Sequence, residues 1–311
     1  MTEPVPLRCV HDMPSDSTFN QHIMVLWDDV AQLTRGALAV SVVPWGATGN
    51  SGTMLEKALR GDVHFYPVSG MPLASVCPQV AFEGIPYAFD SDEHAIEVFS
   101  GVLGERVRAS VSEIGLHVIP GLWPQGHNQI PAVRASPFET AAQMRGFRIR
   151  TANSPFLVDL YVALGMDPRR VHLQGVRAAL EEGAVQGVEM PPHGIEQLGI
   201  AGLHHSMTVL DIRWATFWMT AHGPTWHALD PRLRDVVTDA CMRHANAYAA
   251  DIRRENQCAL RSFERVGVVG ALEHAAVQDV LSRAGFYQRW RERLGVDRWA
   301  LLESEIGRRL R

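Results

Sequence analysis

The chain has 311 residues, enough for two modest domains or one large one, and its 46% hydrophobic and 20% charged composition is that of an ordinary globular protein. A formal charge of −5 at pH 7 argues against a broad nucleic-acid surface. No apolar run is long enough to span a bilayer, and the opening MTEPVPLRCV lacks the basic and apolar regions of a signal peptide, so the chain is either cytoplasmic or has had a leader removed.

In chain order, LRCVH reads as a strand, DMPSDST as a turn with helix-capping chemistry, and FNQHIMVLWDDVAQLT as a helix with Ile23, Leu26, Trp27, Val30 and Leu33 at helical spacing. LAVSVVP is the next strand, GATGNSG a loop, TMLEKALRG a short helix closed by Gly61, and VHFYPVSG a third strand. This βαβαβ order predicts a parallel sheet flanked by helices. A similar run follows in the second half: strand FRIRTA, helix PFLVDLYVALGM, short strand VHLQ, helix VRAALEEG and strand AVQGVEMP. ALRGDVHF and ALEEGAVQGVE, each a helix ending in Gly before a strand, read as equivalent elements of two lobes. From Asp230 to Val268 the periodicity is helical without Pro or Gly between Pro231 and Gly267, which predicts one helix about 50 Å long. Shorter helices finish the chain.

The four cysteines, Cys9, Cys77, Cys241 and Cys258, show neither CxxC nor zinc-ligand spacing. Cys241 and Cys258 share the long helix, roughly 25 Å apart, and cannot pair while it is continuous. Arg148 and Arg150 lie on one face of FRIRTA, with Phe147 and Ile149 on the other. Ligands of α/β sheets sit beyond the carboxyl ends of strands. That places Arg150, rather than Arg148, where it could meet a ligand carboxylate, while both arginines also read as surface charges paired with nearby Asp or Glu.

Several stretches, in order, resemble the solute-binding proteins of TRAP transporters, the DctP-type family. They are VHDMPSDSTFNQHIMVLWDDVAQLTRGALAVSVVPWGATGNSGTMLEKALRGDVHF, FEGIPYAFDSDEHAIEVFSGVLG, MRGFRIRTANSPFLVDLYVALGMDP and LEEGAVQGVEMPP. The resemblance implies an α/β, two-lobed periplasmic-binding-protein-like fold with a central cleft and a long interlobe helix. The expected division is 1–122 plus about 212–250 for lobe I and 123–211 plus about 251–311 for lobe II, with a helix over about 231–265 spanning both. It also implies a periplasmic receptor that closes on a small organic acid and hands it to TRAP membrane subunits, with Arg150 pairing the ligand carboxylate. No cofactor, metal or nucleic acid is expected, and the protein is expected to be a monomer.

Two positions depart from the family pattern. Near Asn128, where a second arginine is common, the chain offers His127, Asn128 and Gln129. After Glu189, where Asn is common, stands Met190, a soft gap filler. These changes favour a monocarboxylate with an apolar or aromatic part. The aromatic supply is Trp45, Trp123, Trp214, Phe217 and Trp218, with Trp214 and Phe217 the leading ligand candidates. His11 and Asp12 after the first strand, Asn50 and Ser51 before a helix, Ser69 and Gly70 after the third strand, and Glu189 complete the candidates.

Two other functions fit such a fold less directly. A sensor or regulatory module would need a signalling partner. An α/β enzyme would need a nucleophile or acid–base pair, and the sequence lacks G-x-S-x-G, a complete phosphate loop and HExxH; the fourteen histidines have no ligand spacing.

Overall fold

The computed structural model describes residues 7–44 and 50–311, apart from the side chain of Val266. Trp45 and most of the loop before Asn50 lie outside the described residues. Ten strands occur among the described residues: β1 (Leu7–Val10), β2 (Val40–Val43), β3 (Phe65–Ser69), β4 (Leu116–His127), β5 (Ile130–Ala132), β6 (Arg148–Thr151), β7 (Asp167–Arg170), β8 (Ser206–Val209), β9 (Trp214–His222) and β10 (Val268–Ala271). The chain forms two compact units. Unit 1 holds residues up to Ser69, Arg108–Pro124 and Thr216–Ile252, and unit 2 holds Gly70–Val107, Gln125–Ala215 and Arg253–Arg311. Residues 70–107 therefore pack with the second unit, which corrects their assignment to lobe I. The segment's helices and turns bury Leu73, Phe82, Phe89 and Phe99, and its backbone joins unit 2 where the Tyr87 N–H donates to the Ile212 carbonyl, 3.1 Å away.

Unit 1 is built on a five-stranded sheet in the order β2-β1-β3-β9-β4. β1 runs parallel to β2 and β3, as the βαβαβ pattern requires, and β9 is antiparallel to β3. The helix Thr18–Leu33 starts where Ser17 accepts from the Asn20 N–H, and it buries Phe19, Ile23, Leu26, Trp27 and Val30. That face joins a core with Cys9, Trp123, Phe217, Cys241 and Tyr248. The helix Ser51–Arg60 ends on Gly61 with φ of 81°, a left-handed cap suited to glycine.

Unit 2 has a three-stranded sheet, β10-β8-β5, and a parallel pair, β6-β7. Two strand expectations are corrected here. The strand expected at VHLQ lies earlier, at Asp167–Arg170, because the β6 backbone pairs there. AVQGVEMP makes only isolated bridges, from Gly187 to Ala132 and Ile149 and from Met190 to Gln129. Gly187 is held so close to the Pro131 carbonyl and the Phe147 ring that a Cβ would collide with both. The long helix runs Pro231–Val266, with residues to Ile252 in unit 1 and the remainder in unit 2. No helix among the described residues is long and apolar enough to cross a membrane. Cys9, Cys77 and Cys241 are buried, Cys258 is exposed, and all four are free.

Gly70 opens a short helix in unit 2, and a Cβ there would overlap the fully buried Glu83 carboxylate. Gly70→Ala is therefore expected to cost about 1–3 kcal/mol in urea unfolding. An unchanged midpoint would mean that Glu83 can move aside.

Candidate functional site

The last residues of β6 present the two arginines of FRIRTA differently. Arg148 donates from a terminal nitrogen to the Gly183 carbonyl at 3.1 Å, closing off the end of the helix Val176–Glu181. It is a backbone-capping residue and has no ion pair among the described residues. Arg150, one pleat on, is mostly buried. Its Nε donates to the Val171 carbonyl at 2.9 Å, and its two terminal nitrogens have no partner among the described residues. Burial pulls its guanidinium down to about 10, opposed by the nearby Tyr161 and Glu189 and reinforced by Arg213. It stays charged at neutral pH, with its orientation fixed and its paired donors open.

Beside it lies a buried polar network in unit 2. Glu189 Oε2 accepts from Arg213 Nε at 3.1 Å, from an Arg213 terminal nitrogen at 2.7 Å and from the Tyr161 hydroxyl at 2.8 Å. The Arg213 and Glu189 side chains are only 8% and 1% exposed. Burial works against the Arg213 charge, but Glu189 more than offsets it and raises the guanidinium above its ordinary value. Burial first, then the Glu189 carboxylate, pushes the Tyr161 phenol well up. Glu189 thus fixes an arginine.

Asn128 is 1% exposed, and neither atom of its side-chain amide has a hydrogen-bond partner among the described residues. Its backbone N–H donates to the Arg213 carbonyl at 3.0 Å, which ties it to the same network. A buried amide with both ends open is costly unless something pairs with it. Its neighbours are committed elsewhere. Gln129 accepts from the Leu210 and Asp211 N–H groups and donates to Asp211. The His127 ring meets the Phe89 carbonyl at 3.0 Å through Nε2.

Other candidates are engaged in packing or in hydrogen bonds within the protein. Met190 is packed among Val176, Leu180, Val188 and Ile195. Trp214 is 1% exposed, stacks on Phe99 and donates to Asp92 at 2.8 Å. Phe217 lies 4.2 Å from the Phe19 ring in the unit 1 core. His11 is corrected as a ligand contact. Its Nδ1 accepts from the Met13 N–H and its Nε2 meets the Asn20 side-chain Oδ1 at 3.0 Å, so neither nitrogen is open. Asn50 caps its helix by accepting from the Thr53 N–H at 3.1 Å. Asp12 accepts from the Tyr66 hydroxyl at 2.6 Å, and Ser69 ends β3 opposite Phe217.

Burial holds the His11 imidazole down to about 4, against hydrogen bonds from Asn20 and Met13. The unfolded chain therefore binds a proton that the folded one refuses. This contribution to stability is complete above about pH 6.5 and is lost as pH falls towards 4. His204, equally depressed by burial, acts in the same direction. Lowering the pH from 7 to 4 should cost roughly 2–3 kcal/mol through His11. His11→Gln should lose that part of the slope in urea unfolding; an unaltered slope would show that His11 does not titrate this way.

Tyr161 and Arg213 were not singled out in the sequence. Tyr161 lies within the expected helix PFLVDLYVALGM, and nothing near Arg213 in the sequence shows its partner. An arginine flanked by Ile212 and Trp214 was the available signal, since a lone charge in an apolar strand needs a buried carboxylate. Among the described residues no group of three His, Cys, Asp or Glu could hold a metal ion.

Two α/β units, one with an arginine whose paired donors are open, have the architecture of a solute-binding protein. The chain belongs to the bacterial extracellular solute-binding protein family 7, DctP, whose model matches residues 9–283. Members are periplasmic receptors of TRAP transporters, not enzymes. The chain is 23% identical over 312 residues to the C4-dicarboxylate-binding periplasmic protein DctP of Rhodobacter capsulatus, covering 98% of this chain and 92% of that one. It is 21% identical to the 2,3-diketo-L-gulonate-binding periplasmic protein YiaO of Escherichia coli, over 86% of this chain and 82% of the relative. Its fold matches the sugar acid binding protein DctPAm of Advenella mimigardefordensis, solved with galactonate, at a TM-score of 0.91 and 19% identity over 98% of both chains. A TRAP periplasmic solute binding protein of Chromohalobacter salexigens, solved with D-glucuronate, matches at 0.90 and 17% identity over 97% of this chain and 99% of that one.

Proposed function

We propose that the chain is a TRAP receptor for a small organic acid whose carboxylate is held by Arg150. The observation that carries this reading is a mostly buried guanidinium, oriented through Nε, with its two terminal nitrogens unpartnered among the described residues. A planar fork of this kind matches a carboxylate with two parallel charge-assisted hydrogen bonds. The Glu189–Arg213–Tyr161 network is close enough to act on its charge, with Arg213 paired to Glu189.

The open amide of Asn128 supports a ligand with a hydroxyl or carbonyl near its acid group. A monocarboxylate fits, since Arg213 is already paired. An apolar or aromatic body has less support, because Met190, Trp214 and Phe217 are engaged in packing. Structural neighbours were solved with glucuronate, galacturonate, galactonate or orotate, all of them acids. We propose a hydroxylated or carbonyl-bearing acid for this chain, delivered to TRAP membrane subunits. The receptor works as a monomer and takes no nucleic acid; light scattering should give a mass near 34.4 kDa.

A thermal-shift panel of hexuronates, aldonates, C4-dicarboxylates, orotate and aromatic monocarboxylates tests the reading. A true ligand at a hundred times its Kd adds about 2.7 kcal/mol of stability. Hits confined to neutral sugars or amines would sink the anion assignment, and hits confined to aromatic acids would overturn the hydroxylated body.

A further inference from the structure

We propose that unit 1 carries a second site, for a small oxyanion, on the surface formed by β4 and the start of the helix Pro231–Val266, with Arg234 as its anchor and His117 as its second donor. Both side chains line an open pocket of about 540 Å³, together with Arg108, Trp226, Asp235 and Thr238. The Arg234 guanidinium makes no hydrogen bond or ion pair among the described residues, and its Nε is fully buried without a partner. That Nε has almost no accessible surface, so a ligand in the pocket meets the terminal nitrogens of the fork, which have no partner among the described residues. Neither ring nitrogen of His117 has a hydrogen-bond partner among the described residues. Its ring is stacked on Trp226 at 4.6 Å and 12° between planes and meets the His227 ring edge-on at 5.9 Å, so ring contacts orient it. The Thr238 hydroxyl adds a third possible donor on the same helix.

The charge balance favours an anion. The unpartnered charge in the lining is the Arg234 guanidinium, with Arg108 a second guanidinium among the lining residues; the one carboxylate there, Asp235, is exposed and screened by water. Burial, then the proximity of His227 and Arg234, holds His117 down to about 4. An oxyanion seated between His117 and Arg234 relieves that repulsion and favours the protonated ring. Binding therefore takes up a proton, and affinity falls as pH rises. The site lies wholly in unit 1 and does not use Arg150.

The test is a sulfate titration at constant ionic strength, followed by NMR of the His117 ring. Sulfate keeps its charge over the pH range used. A saturable shift is expected, with affinity falling as pH rises. Arg234→Gln should weaken binding at least about tenfold, the scale of one hydrogen bond to a charged group. Arg234→Lys, which keeps the charge without the planar fork, should fall between the two. His117→Gln, followed by calorimetry, should bind sulfate more weakly and without the pH dependence. Arg150→Ala should respond as the parent does. An equal shift with chloride, parent-like affinity in Arg234→Gln, or loss of the response in Arg150→Ala would each overturn the proposal.

Discussion

Arg150→Ala is expected to lose about 2–5 kcal/mol of ligand affinity, the range for truncating one partner of a buried charge pair. That corresponds to roughly thirty- to several-thousand-fold in Kd. The ligand-induced thermal shift should vanish at concentrations that saturate the parent. The fold should survive, because the side chain makes a single hydrogen bond, to the Val171 carbonyl, and removing an unpaired buried cation relieves a cost. Arg150→Lys should recover only part of the affinity. It keeps the charge but loses both the Nε tether and the two-pronged geometry. Calorimetry on the three proteins decides the matter, and parent-like binding by Arg150→Ala would move the anchor elsewhere.

Glu189→Ala should destabilise unit 2 by about 3–5 kcal/mol, since it strands the Arg213 charge in a site where that side chain is 8% exposed. It also removes the acceptor of the Tyr161 hydroxyl. The double variant Glu189→Ala/Arg213→Met should be more stable than the single one, because no uncompensated charge is left. Tyr161→Phe should cost only about 1 kcal/mol. Urea unfolding of the parent, Glu189→Ala, Arg213→Met and the double variant forms a double-mutant cycle. Strict additivity of the Glu189 and Arg213 changes would mean that the pair is not coupled.

The sequence was most informative where structure depends on neighbours along the chain. The 3.6-residue spacing of Ile23, Leu26, Trp27 and Val30 marked a helix that does bury those residues. The uninterrupted run after Pro231 marked the long helix to within a residue or two. Sequence was less informative where pairing decides the outcome. VHLQ and the observed strand Asp167–Arg170 adjoin one another, and only the register against β6 selects the latter. Residues 70–107 carry no compositional break, so their membership of unit 2 was invisible.

The same division runs through the candidate site. Arg150 could be singled out because its place at the carboxyl end of a strand is a local property and the motif around it is local. The engagement of His11 with Asn20 and Met13, and of Phe217 with Phe19, needed the packed core. By itself the sequence determined the family and most of the order of elements, and it singled out the arginine proposed as the anchor. Tertiary structure alone decided that Glu189 directs its charge to Arg213 and Tyr161, which lie 24 and 28 residues away, and that the Asn128 amide is buried without a hydrogen-bond partner among the described residues. Periodicity tells which side of an element is apolar. Which polar group meets a buried charge depends on how distant segments are brought into register, and no local pattern encodes that.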